Sequence, residues 1–196
     1  MFLEFNKDSR VKKGWIEVIC GSMFSGKTEE LLRRLRRAKI ARQQVEIFKP
    51  ETDNRYDEVQ VVSHDQNKIS STPVPLSSNI LLLANNVDVV GIDEAQFFDN
   101  ELPTVCKELA DSGVRVIIAG LDMDYTGKPF GPMPALLAMA EYITKVHAIC
   151  IDCGDLAHIS HRIVDNKLQV MVGEMESYVP LCRTCFNKIS KRAEEA

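Results

Sequence analysis

Residues 15–28 read Trp15-Ile-Glu-Val-Ile-Cys20, then Gly21-Ser22-Met23-Phe24-Ser25-Gly26-Lys27-Thr28. The first six are rich in β-branched and aromatic residues and run into a glycine, which predicts a strand. The next eight match G-x-x-x-x-G-K-[ST], and a helical pattern follows. The chemistry needs that context. Glycines let the backbone curl around an anion, the amides at the helix start point at phosphate oxygens, and the helix dipole adds to their field. Lys27 is placed to reach β- and γ-phosphates, and Thr28 to hold Mg²⁺. Phe24 is suited either to walling a substrate pocket or to packing under the loop.

Working outward, Thr28 to Gln43 reads as a helix. Leu31, Leu32, Leu35 and Ala38 share one face, and Arg33, Arg34, Arg36, Arg37 and Lys39 are expected on the other. Val45 to Lys49 is a short strand. Val87 to Ile92 and Val114 to Ala119 are apolar runs suited to strands buried on both faces, with a helix over Leu102 to Ser112 between them. This alternation predicts an α/β fold, P-loop NTPase-like, with a mainly parallel sheet and helices on both faces. Glu51 to Pro75 is polar and long for a connection, with only Val59 to Val62 as a possible strand, and is a candidate lid. Residues 1–13 read as a loose arm, residues 14–145 as the nucleotide-binding domain, and residues 146–196 as a small separate lobe.

The run Val89-Val90-Gly91-Ile92 ends in Asp93-Glu94. A P-loop domain needs an acid at the end of a neighbouring strand for the magnesium shell, and Asp93 fits. Successive strand residues point to opposite sides, so Glu94 is directed differently and can accept a proton from the group attacking the γ-phosphate. Position does not say whether that group is water or a substrate hydroxyl. Gln96 is placed to contact the nucleotide or the acceptor, and Phe97-Phe98 to serve as pocket or core.

Two C-x-x-C pairs, Cys150/Cys153 and Cys182/Cys185, are separated by 28 residues. Each pair makes a knuckle, and two knuckles complete a tetrahedral thiolate shell, the preferred structural zinc geometry. His158 to Val164 and Lys167 to Val172 are the expected strands of a zinc-ribbon-like lobe, which has little core and suits a metal staple. A closed four-cysteine shell has no open position, so its role is structural. Disulfides are the alternative, disfavoured because nothing suggests export. Cys20 and Cys106 fit no motif and read as buried apolar residues.

The 196-residue chain carries 24 Lys and Arg against 28 Asp and Glu, a net charge of −4. That balance argues against a nucleic-acid binder working by phosphate neutralisation. No apolar run approaches the ~20 residues of a membrane span, and the start lacks a secretory signal, so no membrane association and a cytoplasmic location are expected.

Taken together, Gly21 to Thr28, Asp93-Glu94-Ala95-Gln96-Phe97-Phe98, Gly120-Leu121-Asp122 with Lys128-Pro129-Phe130-Gly131, and the two cysteine pairs closely resemble the type II thymidine kinases, the cytosolic cellular kind. The resemblance spans roughly Gly14 to Lys191. It implies transfer of the γ-phosphoryl of ATP to the 5′-hydroxyl of thymidine with Mg²⁺, a structural Zn²⁺, dTTP as feedback inhibitor and a homotetramer. By the same resemblance Glu94 matches the proton acceptor. Gly21, Ser22, Met23, Phe24, Ser25, Gly26, Lys27, Thr28, Asp93 and Gln96 match the ATP/Mg²⁺ site. Leu121, Tyr125 and Phe130 match pocket positions. Gln169, Val170, Met171, Val172 and Gly173, with Tyr178, match a segment that clamps thymine largely through the main chain. Asp53 and Arg55 match residues of the family's lasso loop, Glu51 to Pro75 here. Departures are mild: Ser22 stands where many members have proline, Ala95 where some have glycine, and Tyr125 where Phe is usual. A P-loop ATPase, a nucleic-acid module using the helix arginines, and a kinase for a related acceptor such as deoxyuridine are the competing readings.

Overall fold

The computed structural model describes residues 13–51, 60–62, 68–163 and 177–194. In chain order the elements are β1 (Trp15–Cys20), α1 (Lys27–Ile40), β2 (Val45–Pro50), β3 (Gln60–Val62), β4 (Lys68–Ser70), β5 (Thr72–Val74), α2 (Ser78–Leu83), β6 (Val89–Ile92), α3 (Leu102–Asp111), β7 (Arg115–Gly120), α4 (Met133–Met139), β8 (Tyr142–Lys145), β9 (Ala148–Ile149), β10 (Leu156–Ala157), β11 (Ile159–Arg162), β12 (Tyr178–Leu181) and α5 (Arg183–Glu194). A six-stranded sheet runs β5-β2-β6-β7-β1-β8. Its pairings are all parallel, with β1 against β7 from Trp15↔Arg115 to Cys20↔Gly120.

Side-chain alternation along the strands divides the interior in two. Ile16, Val18 and Cys20 of β1, Val90 and Ile92 of β6, and Val116 and Ile118 of β7 pack with Ile80 of α2, Leu102, Val105, Cys106 and Leu109 of α3, and Met133 and Leu136 of α4. The alternate residues Ile19, Val89, Ile117 and Ala119 pack instead under Leu31, Leu32, Leu35 and Ala38 of α1. Both faces of the central strands are therefore covered, which is why they read as unbroken apolar runs. Cys20 and Cys106 are buried within the first of these cores, as expected of apolar residues, and burial pushes the Cys106 thiol up.

The alternation also corrects the assignment of Arg34 to an exposed basic face. Glu17 falls on the α1 side of β1 with no exposure, and Arg34 lies beneath α1 at 2% exposure. Arg34 donates to Glu17 Oε2 at 2.7 Å, to Glu30 Oε1 at 2.8 Å and to Thr144 Oγ1 at 2.9 Å. Arg115 and the Trp15 indole both donate to Glu17 Oε1 at 2.7 Å. Arg34 stands three residues after Leu31 and four before Ala38, so helical spacing puts it on the buried face, and its charge is matched there by Glu17.

Other differences have local causes. Thr72–Val74, inside the candidate lid, is a strand pairing with β2 at the sheet edge, where Pro73 is tolerated because an edge strand need not donate on its outer side. β3 and β4 form an antiparallel pair, and β3 falls within the expected strand over Val59 to Val62, of which Val59 lies outside the described residues. The short helices α2 and α4 and the half-exposed edge strand β8 carry too little periodic signal to be read from sequence. Beyond Lys145, β9 pairs with β10 and β11 with β12, both antiparallel. The last segment is helical, and Cys185 sits in its first turn. The expected strand over Lys167 to Val172 lies outside the described residues.

Candidate active site

The loop between β1 and α1 closes on itself. Lys27 Nζ donates to the Ser22 carbonyl at 2.8 Å, and Ser25 Oγ to the same oxygen at 2.7 Å. Gly26, at φ 83°, turns the chain into α1 in a left-handed conformation that favours glycine. Glu30 N then bonds back to the Gly26 carbonyl at 3.0 Å, which starts the helix with its free amides facing the loop.

Asp93 follows β6, which is not adjacent to β1: β7 lies between them. This corrects the expectation of a neighbouring strand. The acid still meets the loop, because Thr28 Oγ1 donates to Asp93 Oδ2 at 3.3 Å. The other oxygen, Oδ1, accepts from the Glu94 amide at 3.0 Å. Residues suited to a magnesium shell, a hydroxyl and a carboxylate, are thus already in contact. Lys27 and the loop amides are the groups suited to phosphate.

Glu94 occupies φ 51°, ψ 41°, a left-handed conformation costly for a residue with a side chain. It heads a single 3₁₀ turn, Ala95–Phe97. Gln96 Nε2 donates to Glu94 Oε2 at 2.5 Å, and the Leu121 amide donates to Gln96 Oε1 at 2.9 Å. Gln96 is only 2% exposed, and its side-chain amide bridges the Glu94 carboxylate and the Leu121 backbone.

The proposed pocket wall assembles from Leu121 at the end of β7 and the loop after it. Phe130 is buried and meets Phe97 edge-on, with ring centroids 5.7 Å apart. Tyr125 rides on a tight loop pinned by buried Asp124, whose Oδ1 accepts from Thr126 N at 2.8 Å, Thr126 Oγ1 at 2.6 Å and Lys128 N at 3.2 Å. Arg162 of β11, 6% exposed, stacks on the Tyr125 ring at 3.8 Å and donates to the Tyr178 hydroxyl at 2.7 Å. Sequence reading found neither Asp124 nor Arg162. An Asx-turn pattern, Asp124-Tyr-Thr-Gly127, was available for the first, but nothing local marks Arg162. Asp53, Arg55 and Gln169 to Gly173 lie outside the described residues.

Cys150, Cys153, Cys182 and Cys185 bring their sulfurs within 4.8 Å of one another. Cys153 and Cys182 sulfurs are 3.6 Å apart, far beyond a disulfide bond, and all four thiols are free. A tetrahedral thiolate site with metal–sulfur distances of about 2.3 Å needs sulfurs roughly 3.8 Å apart, so the cluster fits a metal ion such as zinc. Burial alone raises the Cys150 thiol, but backbone amides of Cys182, Cys153 and Asp152 bring it down to about 6. Ala148, Ala157 and Leu181 pack with Cys150, Cys182 and Cys185 into a small core of their own, and Phe24 of the phosphate-binding loop packs against it. The Met23 amide also donates to Ser160 Oγ of β11 at 2.9 Å. Phe24, at φ 63°, thus belongs to the contact between loop and cysteine lobe.

Among the described residues no helix is long and apolar enough to cross a membrane. The family model described as thymidine kinase matches residues 14–186. A thymidine kinase of Porphyromonas gingivalis strain W83 is 66% identical over 188 residues, 96% of this chain and 92% of its own. One of Bacteroides fragilis strain YCH46 is 60% identical over 195 residues, 100% of this chain and 98% of its own. Domain III of the Thermotoga maritima replication initiation protein DnaA aligns at 18% identity and a TM-score of 0.42, over 67% of this chain and 54% of its own, too slight a likeness to carry an argument.

Proposed function

The chain belongs to the thymidine kinase family, and from that premise we propose how its residues divide the work. It is a kinase that moves the γ-phosphoryl group of ATP to the 5′-hydroxyl of thymidine. The observation that carries this reading is the meeting of Thr28 and Asp93, 3.3 Å apart, with Glu94 next in the chain. Loop amides and Lys27 hold the β- and γ-phosphates, while Thr28 and Asp93 would hold Mg²⁺, which when bound neutralises charge on the phosphates. Glu94 orients the 5′-hydroxyl and takes its proton as the oxygen attacks phosphorus. The products are ADP and thymidine monophosphate.

Leu121, Tyr125, Phe130 and Tyr178 form the side-chain wall of the thymidine pocket. Gln169 to Gly173 complete it, and Asp53 and Arg55 approach the transferred phosphate from the lasso, by resemblance to the family. The cysteine cluster takes Zn²⁺ as a structural staple of a lobe over residues 146–196, distinct from the domain over residues 14–145 and the arm before it. A homotetramer, inhibition by dTTP and a cytoplasmic location complete the proposal, each supported by the family resemblance.

The test is ADP release and monophosphate formation from ATP and Mg²⁺, with and without thymidine, in wild type and Glu94→Gln. Thymidine-dependent release lost in the variant is expected. Release indifferent to thymidine would instead indicate an ATPase. Full turnover by a folded Glu94→Gln would remove the proton-acceptor role.

A further inference from the structure

We propose that Gln96 is a positioning residue that sets the Glu94 carboxylate and links it to the wall of the acceptor pocket, and is not itself a nucleotide ligand. Two hydrogen bonds fix the side-chain amide by their direction. A backbone amide can only donate, so the Leu121 N–H, 2.9 Å from Gln96 Oε1, dictates which end of the side-chain amide faces it. The opposite end, Nε2, must then face Glu94, and it donates to Oε2 at 2.5 Å. The amide is locked by a main-chain donor and in turn holds one carboxylate oxygen.

Three features make this a built arrangement. Gln96 is 2% exposed, so the donor side of the clamp is shielded from water while the Glu94 carboxylate is only partly buried and open to a substrate. Glu94 sits in a left-handed conformation, which alone leaves its side chain several rotamers. Gly120, at the end of β7, leaves the space: a Cβ there would lie 3.0 Å from Gln96 Oε1 and 2.7 Å from Met133 Sδ. The neighbouring residue, Leu121, is both the clamp's anchor and part of the proposed thymidine wall. The same amide therefore references the carboxylate to the surface against which the nucleoside rests, and a misplacement of about 1 Å there is expensive for phosphoryl transfer.

This inference rests on reading Glu94 as the proton acceptor, and the experiment separates the two. Gln96→Met keeps the volume and deletes both amide contacts. Gln96→Glu keeps an acceptor for Leu121 but puts a second carboxylate oxygen against Glu94. In both, kcat is expected to fall at least tenfold, further in Gln96→Glu, with KM for ATP and for thymidine within twofold of wild type. Unchanged kcat, or a raised KM for ATP at constant kcat, would overturn the proposal. A second readout covers variants that fold poorly: the side-chain amide resonances of Gln96 in ¹⁵N-labelled wild-type protein should move in Glu94→Gln. Unmoved resonances also overturn the clamp. Moved resonances together with full turnover by Glu94→Gln would keep the clamp and remove the proton-acceptor role.

Discussion

The guanidinium of Arg162 lies 3.8 Å from the centroid of the Tyr125 ring while its Nη2 donates to the Tyr178 hydroxyl at 2.7 Å. One buried cation thus joins two aromatic side chains that come from different parts of the chain and that both belong to the proposed thymidine pocket. The Tyr125 ring presents its stacking face to Arg162 whether or not it carries a hydroxyl.

Arg162→Met should therefore weaken thymidine more than ATP. Loss of a desolvated cation–π contact and a charged hydrogen bond removes about 1–2 kcal/mol, so KM for thymidine is expected to rise roughly tenfold. Arg162→Lys should recover part of this, because an ammonium keeps the charge but not the planar stack. Steady-state kinetics with each substrate varied in turn make the check. Equal rises in both KM values would show a general disturbance of the fold and not a pocket effect.

Glu17 holds two buried arginines, Arg34 and Arg115, each at 2.7 Å. Glu17→Ala leaves both without this carboxylate in a dry interior, and a loss of about 3–5 kcal/mol is expected from breaking such a buried cluster. Urea denaturation followed by circular dichroism would measure it. A midpoint within error of wild type would mean that water or rearrangement rescues the arginines.

Acid sensitivity should reach Glu30. Hydrogen bonds from Arg33, opposed by burial and reinforced by Arg34, hold its carboxyl at about 2, below the ordinary 4.5. A carboxyl lowered in the folded state adds stability that is fully present above 4.5 and is lost as pH falls from 4.5 through about 2. Glu30→Gln should therefore flatten the stability profile in that window while changing its slope little near neutrality. Denaturation midpoints for both proteins at intervals between pH 2 and 6 test this.

Metal analysis is expected to find one zinc per chain, and Cys182→Ser to lose it. The cysteine core touches the phosphate-binding loop through Phe24, and Ser160 accepts the Met23 amide at 2.9 Å. Chelation should thus lower affinity for ATP as well as for thymidine, each by several fold, together with loss of amide protection over β9 to β12. Intact ATP affinity in zinc-free protein would show that the loop holds its shape unaided.

Much of this is legible in the sequence. The phosphate-binding loop, the Asp93-Glu94 pair and the cysteine pairs are local patterns, each demanding particular residue types within a few positions. The central strands were legible because burial on both faces leaves continuous apolar runs. Arg34 reads as exposed because a row of arginines looks like a solvated face until the acid beneath it, Glu17, is known. Gln96 reads in sequence as placed to contact the nucleotide or the acceptor, and only the fold shows that its protein partners are one carboxylate two residues back and one amide 25 residues on.

Short segments of the chain specify their own chemistry: anion binding by a glycine loop at a helix start, an acid pair after a strand, thiolates in knuckles. Those depend on backbone geometry over a handful of residues. It takes the assembled fold to show that β7 separates the loop strand from the acid strand, that Arg34 is buried on Glu17, that Arg162 stacks on Tyr125, and that Phe24 ties the cysteine core to the loop. Each of these joins residues distant in the chain, and such meetings are set by strand order and by which face of the sheet a side chain occupies, quantities that no local stretch encodes.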